Sequence, residues 1–286
     1  MDSKILIKSK KLSDKYNSSI YLKPQYYTKT QSHKDLWAKS AIKYIVSKNI
    51  KKIVLSSSGN LGLAIAAVAF ENNIECQIIS WSPILSVYEK LFQKYDVNLK
   101  LVQGIEEESK LFKIAKADGY FNLGLSSLER ENKNLIGVEG FKVIALEIYE
   151  NLQNKDLEIV IILPCSFGDL ATGILKGFED LVSSKNISKL PKFILVRANF
   201  ENGNLARSIA TNDTMPQVKK VLSKSCGESI YLNNKEFLNG KKIANEELNL
   251  DLELTSCGVF ESLNKINSVE LENKNVILIL TALDRK

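Results

Sequence analysis

Two short segments rich in small polar residues have the composition of anion-binding turns. Each follows an apolar run and precedes a helix-like run: SSSGN at residues 56–60 and CSFGD at residues 165–169. The first backbone N–H groups of a helix lack intrahelical acceptors, and together with the helix dipole they attract a carboxylate or a phosphate. We therefore predict an anion site at each turn. For the first turn, a strand-to-helix connection capped by serine is the alternative.

Lys34 is the candidate nucleophile of the chain. It follows Ser32, a predicted helix N-cap, and precedes Asp35, whose charge suits a first helical turn. In that turn the positive end of the dipole lowers the pKa of the ammonium group, and carbonyl chemistry requires a neutral amine. A solvent-exposed surface lysine is the alternative. Two anion-binding turns combined with such a lysine indicate a phosphorylated aldehyde cofactor.

A scaffold of alternating strands and helices is predicted to position these residues. The predicted strands are Tyr16–Lys23, Lys52–Leu55, Glu75–Ser80, Asn98–Val102, Tyr120–Asn122, Ile159–Leu163, Lys192–Arg197 and Asn275–Leu280. The predicted helices after the one at Lys34 are Leu61–Asn72, Ile84–Tyr95, Glu106–Ala117, Val138–Leu152, Leu170–Val182, Leu205–Thr211, Asn234–Glu246 and Val259–Ile266. This alternation predicts an α/β protein with parallel sheets, and a ligand where strand ends and helix starts converge.

The composition is that of a globular protein. The chain has 286 residues, is 44% hydrophobic, and has no apolar run long enough to span a bilayer. Its first residues are charged and lack the apolar core of a secretory signal, so we expect a cytoplasmic protein with no membrane partner. The four cysteines are scattered, which predicts reduced thiols and no metal site. No basic face with interleaved aromatic residues indicates a nucleic-acid partner.

Five segments, in order, resemble the fold type II family of pyridoxal-phosphate enzymes and within it threonine synthase. They are IYLKPQYYTKTQSHKDLWA, SSSGNLGLAIA, LPCSFGDLATGILKGF, ANFENGNLAR and VILILTALDRK. The resemblance implies a tryptophan synthase β-like architecture of two α/β domains with parallel twisted sheets. The smaller domain would be residues 37–140, and the larger cofactor-binding domain residues 1–36 with 141–286. The implied cofactor is pyridoxal 5'-phosphate.

The resemblance also implies how matching residues bind the cofactor. Lys34 is the catalytic residue and bonds covalently to the cofactor aldehyde. Asn60 hydrogen-bonds the ring hydroxyl, and Thr281 faces the ring nitrogen, where a hydroxyl in place of a carboxylate leaves that nitrogen unprotonated. Backbone amides bind the phosphate, and they belong to Ser166, Phe167, Gly168 and Asp169.

For the substrate, the resemblance implies that Ser57, Ser58 and the amide of Leu61 hold the carboxylate of an amino acid. The implied reaction converts O-phosphohomoserine to threonine and phosphate. The alternatives are a serine or threonine dehydratase, a β-replacement of the cysteine synthase kind, and a diverged relative without catalysis. A second copy of the chain, forming a homodimer, is a further partner that the sequence neither requires nor excludes.

Three departures from the family pattern concern the predicted site. His33 stands where the family commonly has Phe before the lysine. Cys165-Ser166 replaces Gly-Asn in the phosphate turn, where a side chain hinders close approach of the backbone. Ala282 replaces the Gly that follows the threonine of the last strand. These departures leave the substrate open.

Overall fold

The structure is a computed structural model that describes residues 5–123, 136–199, 203–211 and 215–285. Contacts divide the chain into two compact units, Met1–Tyr27 with Phe141–Arg285 and Thr28–Gly140. The sequence predicts that the smaller unit begins at Trp37, whereas the contacts place its start at Thr28. The segment that carries Lys34 is therefore part of the smaller unit.

Strands and helices alternate through most of the described residues. In chain order the strands are β1 Ile7–Lys8, β2 Ser19–Pro24, β3 Lys52–Ser56, β4 Glu75–Trp81, β5 Asn98–Val102, β6 Phe121–Asn122, β7 Ile159–Pro164, β8 Lys192–Ala198, β9 Glu228–Leu232 and β10 Asn275–Leu280. The α-helices are α1 Lys10–Tyr16, α2 Lys34–Ser47, α3 Asn60–Glu71, α4 Ser86–Lys94, α5 Ile105–Ala117, α6 Lys142–Asn151, α7 Asp169–Ser183, α8 Pro216–Ser225, α9 Asn234–Leu248, α10 Leu254–Ser262 and α11 Ser268–Leu271. Short 3₁₀ turns lie at Val138–Phe141 and Arg207–Ile209. The predicted α/β fold class is confirmed.

In the larger unit, the described residues form a six-stranded sheet in the order β1-β2-β10-β7-β8-β9. Only the pairing of β1 with β2 is antiparallel among these described strands. β10 lies beside β2, with Asn275 opposite Ser19 and Leu280 opposite Pro24. Every residue of β10 is buried, as expected of a parallel strand that is covered on both faces.

A buried ion pair joins a strand and a helix of the larger unit. Lys23 Nζ on β2 lies 2.7 Å from Glu147 Oε2 on α6, and the two side chains are 0% and 9% exposed. Removing one partner of such a pair leaves an uncompensated buried charge, at a typical cost of about 3–5 kcal/mol. The pair therefore fixes α6 against β2.

In the smaller unit, the described strands form a parallel sheet in the order β5-β4-β3-β6. α3 follows β3, and its buried residues are mostly small, including Ala64, Ala66, Ala67 and Ala69. α2 and α3 pack against each other. Because Lys34 and the SSSGN turn stand at the starts of these two helices, the packing fixes both within this unit.

The predicted helix Leu205–Thr211 is wrong. Only Arg207–Ile209 forms a 3₁₀ turn there. Asn204 Oδ1 accepts a hydrogen bond from the Ala206 amide at 3.0 Å, and Asn234 Oδ1 accepts one from the Leu205 amide at 2.9 Å. Side-chain acceptors of this kind compete with the helical bonds of the backbone.

Two further predicted elements are displaced. The predicted strand Tyr16–Lys23 begins inside α1, which Ser9 caps and Asn17 ends in the left-handed conformation, so the strand begins at Ser19. The predicted helix Val259–Ile266 is instead α10, which begins earlier because the Glu253 amide donates to the Ala282 carbonyl at 3.1 Å and anchors the helix start. The sequence pattern also missed β1, α8, β9 and α11. None of the helices described is long and apolar enough to cross a membrane.

Candidate active site

A hydrogen-bonded loop precedes Lys34 in the smaller unit. The Asp35 carboxylate, 2% exposed, accepts hydrogen bonds from the Thr30 amide at 2.7 Å and the Thr30 hydroxyl at 2.6 Å. Thr28 Oγ1 accepts from the Ser32 amide at 3.1 Å and donates to the Ser32 carbonyl at 2.9 Å. Because these bonds close the loop on the first turn of α2, they hold the backbone of Lys34, the first residue of that helix, in place.

The start of α2 differs from the predicted one. His33, and not Ser32, is the N-cap residue, and its side chain makes no capping hydrogen bond. Ser32 belongs to the loop because Thr28 holds both its amide and its carbonyl. The Ser32 hydroxyl oxygen still accepts a hydrogen bond from the Lys34 amide at 3.3 Å. Ser32 therefore satisfies one of the backbone amides at the start of α2, although it lies one residue before the N-cap.

The SSSGN turn joins β3 to α3. Ser57 Oγ accepts a hydrogen bond from the Gly62 amide at 2.9 Å and a longer one from the Gly59 amide at 3.4 Å. Gly59 is the N-cap residue of α3 and makes no side-chain capping bond, so serine is not the cap that the alternative prediction gave, although the Ser57 hydroxyl satisfies the Gly62 amide of the first turn. A hydroxyl that accepts still has a proton to donate, so these bonds do not prevent Ser57 from binding a carboxylate. Ser58 is exposed, and the Leu61 amide lies in the same first turn.

Asn60 is the first residue of α3, and its side chain is oriented by a tyrosine. The Tyr88 hydroxyl, on α4, donates to Asn60 Oδ1 at 2.9 Å. Because this bond uses the amide oxygen, the NH₂ group of Asn60 is the part that can donate to a ring hydroxyl. The sequence pattern missed Tyr88, since the contact arises from the packing of α4 on α3 and no local motif marks it.

In the larger unit, the predicted phosphate turn joins β7 to α7. The Cys165 amide donates to the Val196 carbonyl at 2.8 Å and so continues the ladder between β7 and β8. Gly168 has φ +95°, in the left-handed region that favours glycine, and a Cβ added there would lie 2.7 Å from Val218 Cγ2. The turn therefore requires glycine at this position, directly before the first turn of a 15-residue helix. This is the geometry that presents backbone amides to a phosphate.

Cys165 is a structural thiol. It is 3% exposed, and burial raises the pKa of its thiol to about 12 despite the opposing effect of Arg197. Since the thiolate is the reactive form, Cys165 is inert near neutral pH.

The end of β10 carries a pair of hydroxyl groups. Thr281 Oγ1 lies 2.6 Å from Ser256 Oγ on α10, and Ser256 Oγ also accepts from the amides of Thr281 at 2.8 Å and Ala282 at 3.1 Å. Ser256 is 0% exposed and Thr281 is 4% exposed. Ser256 is not among the site residues that the sequence predicts. Its bond to Thr281 spans 25 residues of sequence and could not be predicted locally.

A comparison with protein-family models shows to which family this chain belongs. The family model described as "Pyridoxal-phosphate dependent enzyme" matches residues 4–282. This chain belongs to that family. Its cofactor is pyridoxal 5'-phosphate, as predicted, and members of the family are enzymes that depend on this cofactor. No curated protein sequence matches the chain.

Solved structures with the same fold as this chain include a threonine deaminase and two serine racemases. Serine racemase from maize has a TM-score of 0.83 and 15% identity, and covers 100% of this chain and 89% of its own. Serine racemase from Dictyostelium discoideum has a TM-score of 0.82 and 17% identity, and the match covers 100% of this chain and 93% of that racemase. The processed form of threonine deaminase isoform 2 from Solanum lycopersicum has a TM-score of 0.79 and 16% identity, and the match covers 100% of this chain and 80% of that deaminase. At these identities the likeness establishes the fold.

The described residues suit the family's cofactor. The turn before α7 requires glycine at Gly168, since φ is +95° and an added Cβ would meet Val218, and it leads directly into the first turn of a helix, as phosphate-binding turns do. Thr281 has a hydroxyl of the kind suited to a ring nitrogen. Both lie in the larger unit, together with Ser166, Phe167 and Asp169. The smaller unit holds the other predicted site residues, which are Lys34, Ser57, Ser58, Asn60 and Leu61.

Proposed function

We propose that this chain is a dehydratase that converts L-threonine to 2-oxobutyrate and ammonia, or L-serine to pyruvate and ammonia. The observation that carries this proposal is the hydroxyl pair formed by Thr281 and Ser256. With Thr281 at the ring nitrogen, its neutral hydroxyl would leave that nitrogen unprotonated, and the ring would withdraw fewer electrons from the substrate. This favours a reaction in which charge developing at the α carbon passes at once to a departing β group.

The named residues would divide the work as follows. When bound, the cofactor supplies an electron-withdrawing ring conjugated to the amino group of the substrate. Lys34 would release the cofactor aldehyde to the substrate amine, and its freed amine would take the α proton and protonate the departing β hydroxyl. The Ser57 hydroxyl, Ser58 and the Leu61 amide would orient the substrate carboxylate. Asn60 would hold the ring hydroxyl through its NH₂ group.

The structural relatives give this proposal independent support. A threonine deaminase and two serine racemases share the fold over the whole of this chain, and the amino acids in their names, threonine and serine, both carry a β hydroxyl. We therefore place the dehydratase reaction ahead of the threonine synthase reaction that the motifs imply.

The threonine synthase reaction is the second candidate. The segment LPCSFGDLATG favours it, because it resembles the phosphate turn of that enzyme, and the net charge of +6 suits a phosphorylated substrate. In that reaction O-phosphohomoserine would lose phosphate from its γ carbon and gain water at its β carbon.

The two reactions release different products, so one set of assays separates them. The purified protein, saturated with pyridoxal phosphate, is incubated separately with L-threonine, L-serine and O-phosphohomoserine. Keto acids are measured with a coupled dehydrogenase, and inorganic phosphate is measured by colorimetry. Lys34→Ala serves as the inactive variant and Lys39→Ala, an exposed lysine on the same helix, as its matched control.

We expect keto acid from threonine or serine, its loss in Lys34→Ala, and its retention in Lys39→Ala. Phosphate release from O-phosphohomoserine without keto acid from the other substrates would instead establish the second candidate. D-serine formed from L-serine, or cysteine formed from an activated serine and sulfide, would also overturn the dehydratase proposal. Cofactor binding without any product would identify a non-catalytic relative.

A further inference from the structure

Ser256 makes three hydrogen bonds through one hydroxyl group. Its oxygen accepts from the amide of Thr281 at 2.8 Å and from the amide of Ala282 at 3.1 Å, and it lies 2.6 Å from Thr281 Oγ1. A serine hydroxyl has two acceptor lone pairs and one proton. The two backbone amides occupy both lone pairs, so the remaining bond must use the proton of Ser256. Ser256 is therefore the donor and Thr281 Oγ1 the acceptor.

The direction of this bond fixes the role of the Thr281 hydroxyl. Because Thr281 Oγ1 receives the Ser256 proton, its own proton is directed to a different acceptor. Reversing the pair would require Ser256 Oγ to accept a third hydrogen bond or to leave a buried backbone amide unsatisfied. Ser256 is 0% exposed, so bulk solvent does not reach these amides to replace the hydroxyl as their acceptor.

The backbone around the pair is held from both sides. The amide of Ala282 donates to Ser256, and the carbonyl of Ala282 accepts from the amide of Glu253, at the start of α10, at 3.1 Å. Leu283 then pairs with Leu252 in a β-bridge. These contacts bind the end of β10 to the start of α10, so the two amides that orient Ser256 cannot move away from it independently.

We propose that Ser256 is a positioning residue that holds the Thr281 hydroxyl as a hydrogen-bond donor, so that this enzyme binds its cofactor with the ring nitrogen as an unprotonated acceptor. The inference rests on the part of the proposed function that places Thr281 at the ring nitrogen. It does not depend on which reaction the enzyme catalyses. Ser256 acts through Thr281 and is given no contact with the cofactor.

Cofactor discrimination tests this proposal without an activity assay. The apo-protein is titrated with pyridoxal phosphate and with its 1-deaza analogue, in which a C–H group replaces the ring nitrogen and cannot accept a hydrogen bond. Both compounds carry the aldehyde and the phosphate, so the ratio of their dissociation constants isolates the contribution of the ring nitrogen. A net hydrogen bond predicts that the analogue binds about 2- to 10-fold more weakly to the wild-type protein.

Three variants assign the effect to its residues. Thr281→Val removes the donor and should bring the ratio to about one. Ser256→Ala should lower the ratio toward one while Thr281 is still present. Ser262→Ala is the matched control, because Ser262 is also buried on α10 but donates to the Val259 carbonyl at 2.8 Å, and it should keep the wild-type ratio.

The outcomes distinguish the role of Thr281 at the ring nitrogen from the role of Ser256 in orienting Thr281. An unchanged ratio in Thr281→Val would remove Thr281 from the ring nitrogen and with it that part of the proposed function. A lowered ratio in Thr281→Val with a wild-type ratio in folded Ser256→Ala would overturn the role of Ser256 alone. Because Ser256→Ala leaves two buried amides without an acceptor, a second test uses the wild-type holoenzyme with ¹⁵N-labelled cofactor. There we expect the ¹⁵N chemical shift of an unprotonated ring nitrogen, and a protonated nitrogen would contradict the proposal.

Discussion

Asp35 binds Thr30 twice, through its backbone amide and through its hydroxyl, and this closes the loop that leads into Lys34. Both bonds lie in a buried environment. We expect Asp35→Ala to lower the free energy of unfolding by about 1–3 kcal/mol, because it leaves buried donors without an acceptor. Thr30→Ser keeps both donors and should lose much less stability. Urea unfolding measures both, and equal midpoints for wild type and Asp35→Ala would disprove the role of this contact.

Lys34 is the predicted covalent attachment point of the cofactor. We expect the wild-type holoenzyme to be yellow and Lys34→Ala to lack the absorbance band of the lysine-bound cofactor while remaining folded by circular dichroism. Lys39→Ala, on the same helix, should keep the band. Borohydride reduction followed by peptide mapping locates the modified lysine, and labelling at any residue other than Lys34 would refute the assignment.

Asn60 is predicted to orient the cofactor ring without contributing most of the affinity. We expect Asn60→Ala to lower turnover far more than cofactor content, since the predicted phosphate contacts and covalent bond should provide the larger share of binding. Tyr88→Phe removes the hydroxyl that binds Asn60 Oδ1 and should lower turnover less, because the Asn60 amide itself remains. Turnover and bound cofactor are measured on the same samples. A parallel fall of both in Asn60→Ala would contradict the orienting role.

Gly168 allows the predicted phosphate turn to form. Gly168→Val should abolish cofactor binding, because φ +95° strains a branched residue and the added Cβ would meet Val218. Gly203→Val is the control for backbone strain alone, since Gly203 has φ +76° but no heavy atom within 4 Å of an added Cβ. Cofactor affinity is read by titration of the absorbance band, and unchanged affinity in Gly168→Val would place the phosphate elsewhere.

Cys165, in the same turn, has no predicted chemical role. We expect Cys165→Gly to bind the cofactor at least as tightly as wild type, because glycine lets the backbone approach the phosphate. The titration used for Gly168→Val measures this, and a weaker complex would show that the thiol contributes to the turn.

The reactivity of the cysteines gives a pH-dependent test. Burial raises the pKa of Cys165 to about 12, so at pH 8 only about one thiol in ten thousand is the reactive thiolate. The thiolate population grows as pH rises toward that pKa. Iodoacetamide labelling of the folded protein followed by mass spectrometry should therefore modify the exposed Cys226 and spare Cys165. Equal labelling of the two at pH 8 would contradict the raised pKa.

The sequence predicts elements well where apolar runs are bounded by polar residues. Asn98–Val102 and Asn275–Leu280 are observed with the predicted limits. The glycine turn before α7 and the place of Lys34 in the first turn of α2 could also be predicted, because both depend on residues next to each other in the chain. Contacts made by packing could not be predicted in this way. Ser256 and Tyr88 were missed because their partners lie on other elements.

The position of β10 has a consequence for the order of folding. β10 is paired with β2 on one side and β7 on the other, so Ser19 meets a partner 256 positions further along the chain, at Asn275. Closing so long a segment is slow compared with forming local contacts. During synthesis the residues of Thr28–Gly140 emerge as one continuous stretch and can begin to fold first, whereas the sheet of the larger unit cannot close until β10 has left the ribosome. Until then β2 and β7 have unpaired edges, and this is when the nascent protein is most exposed to aggregation.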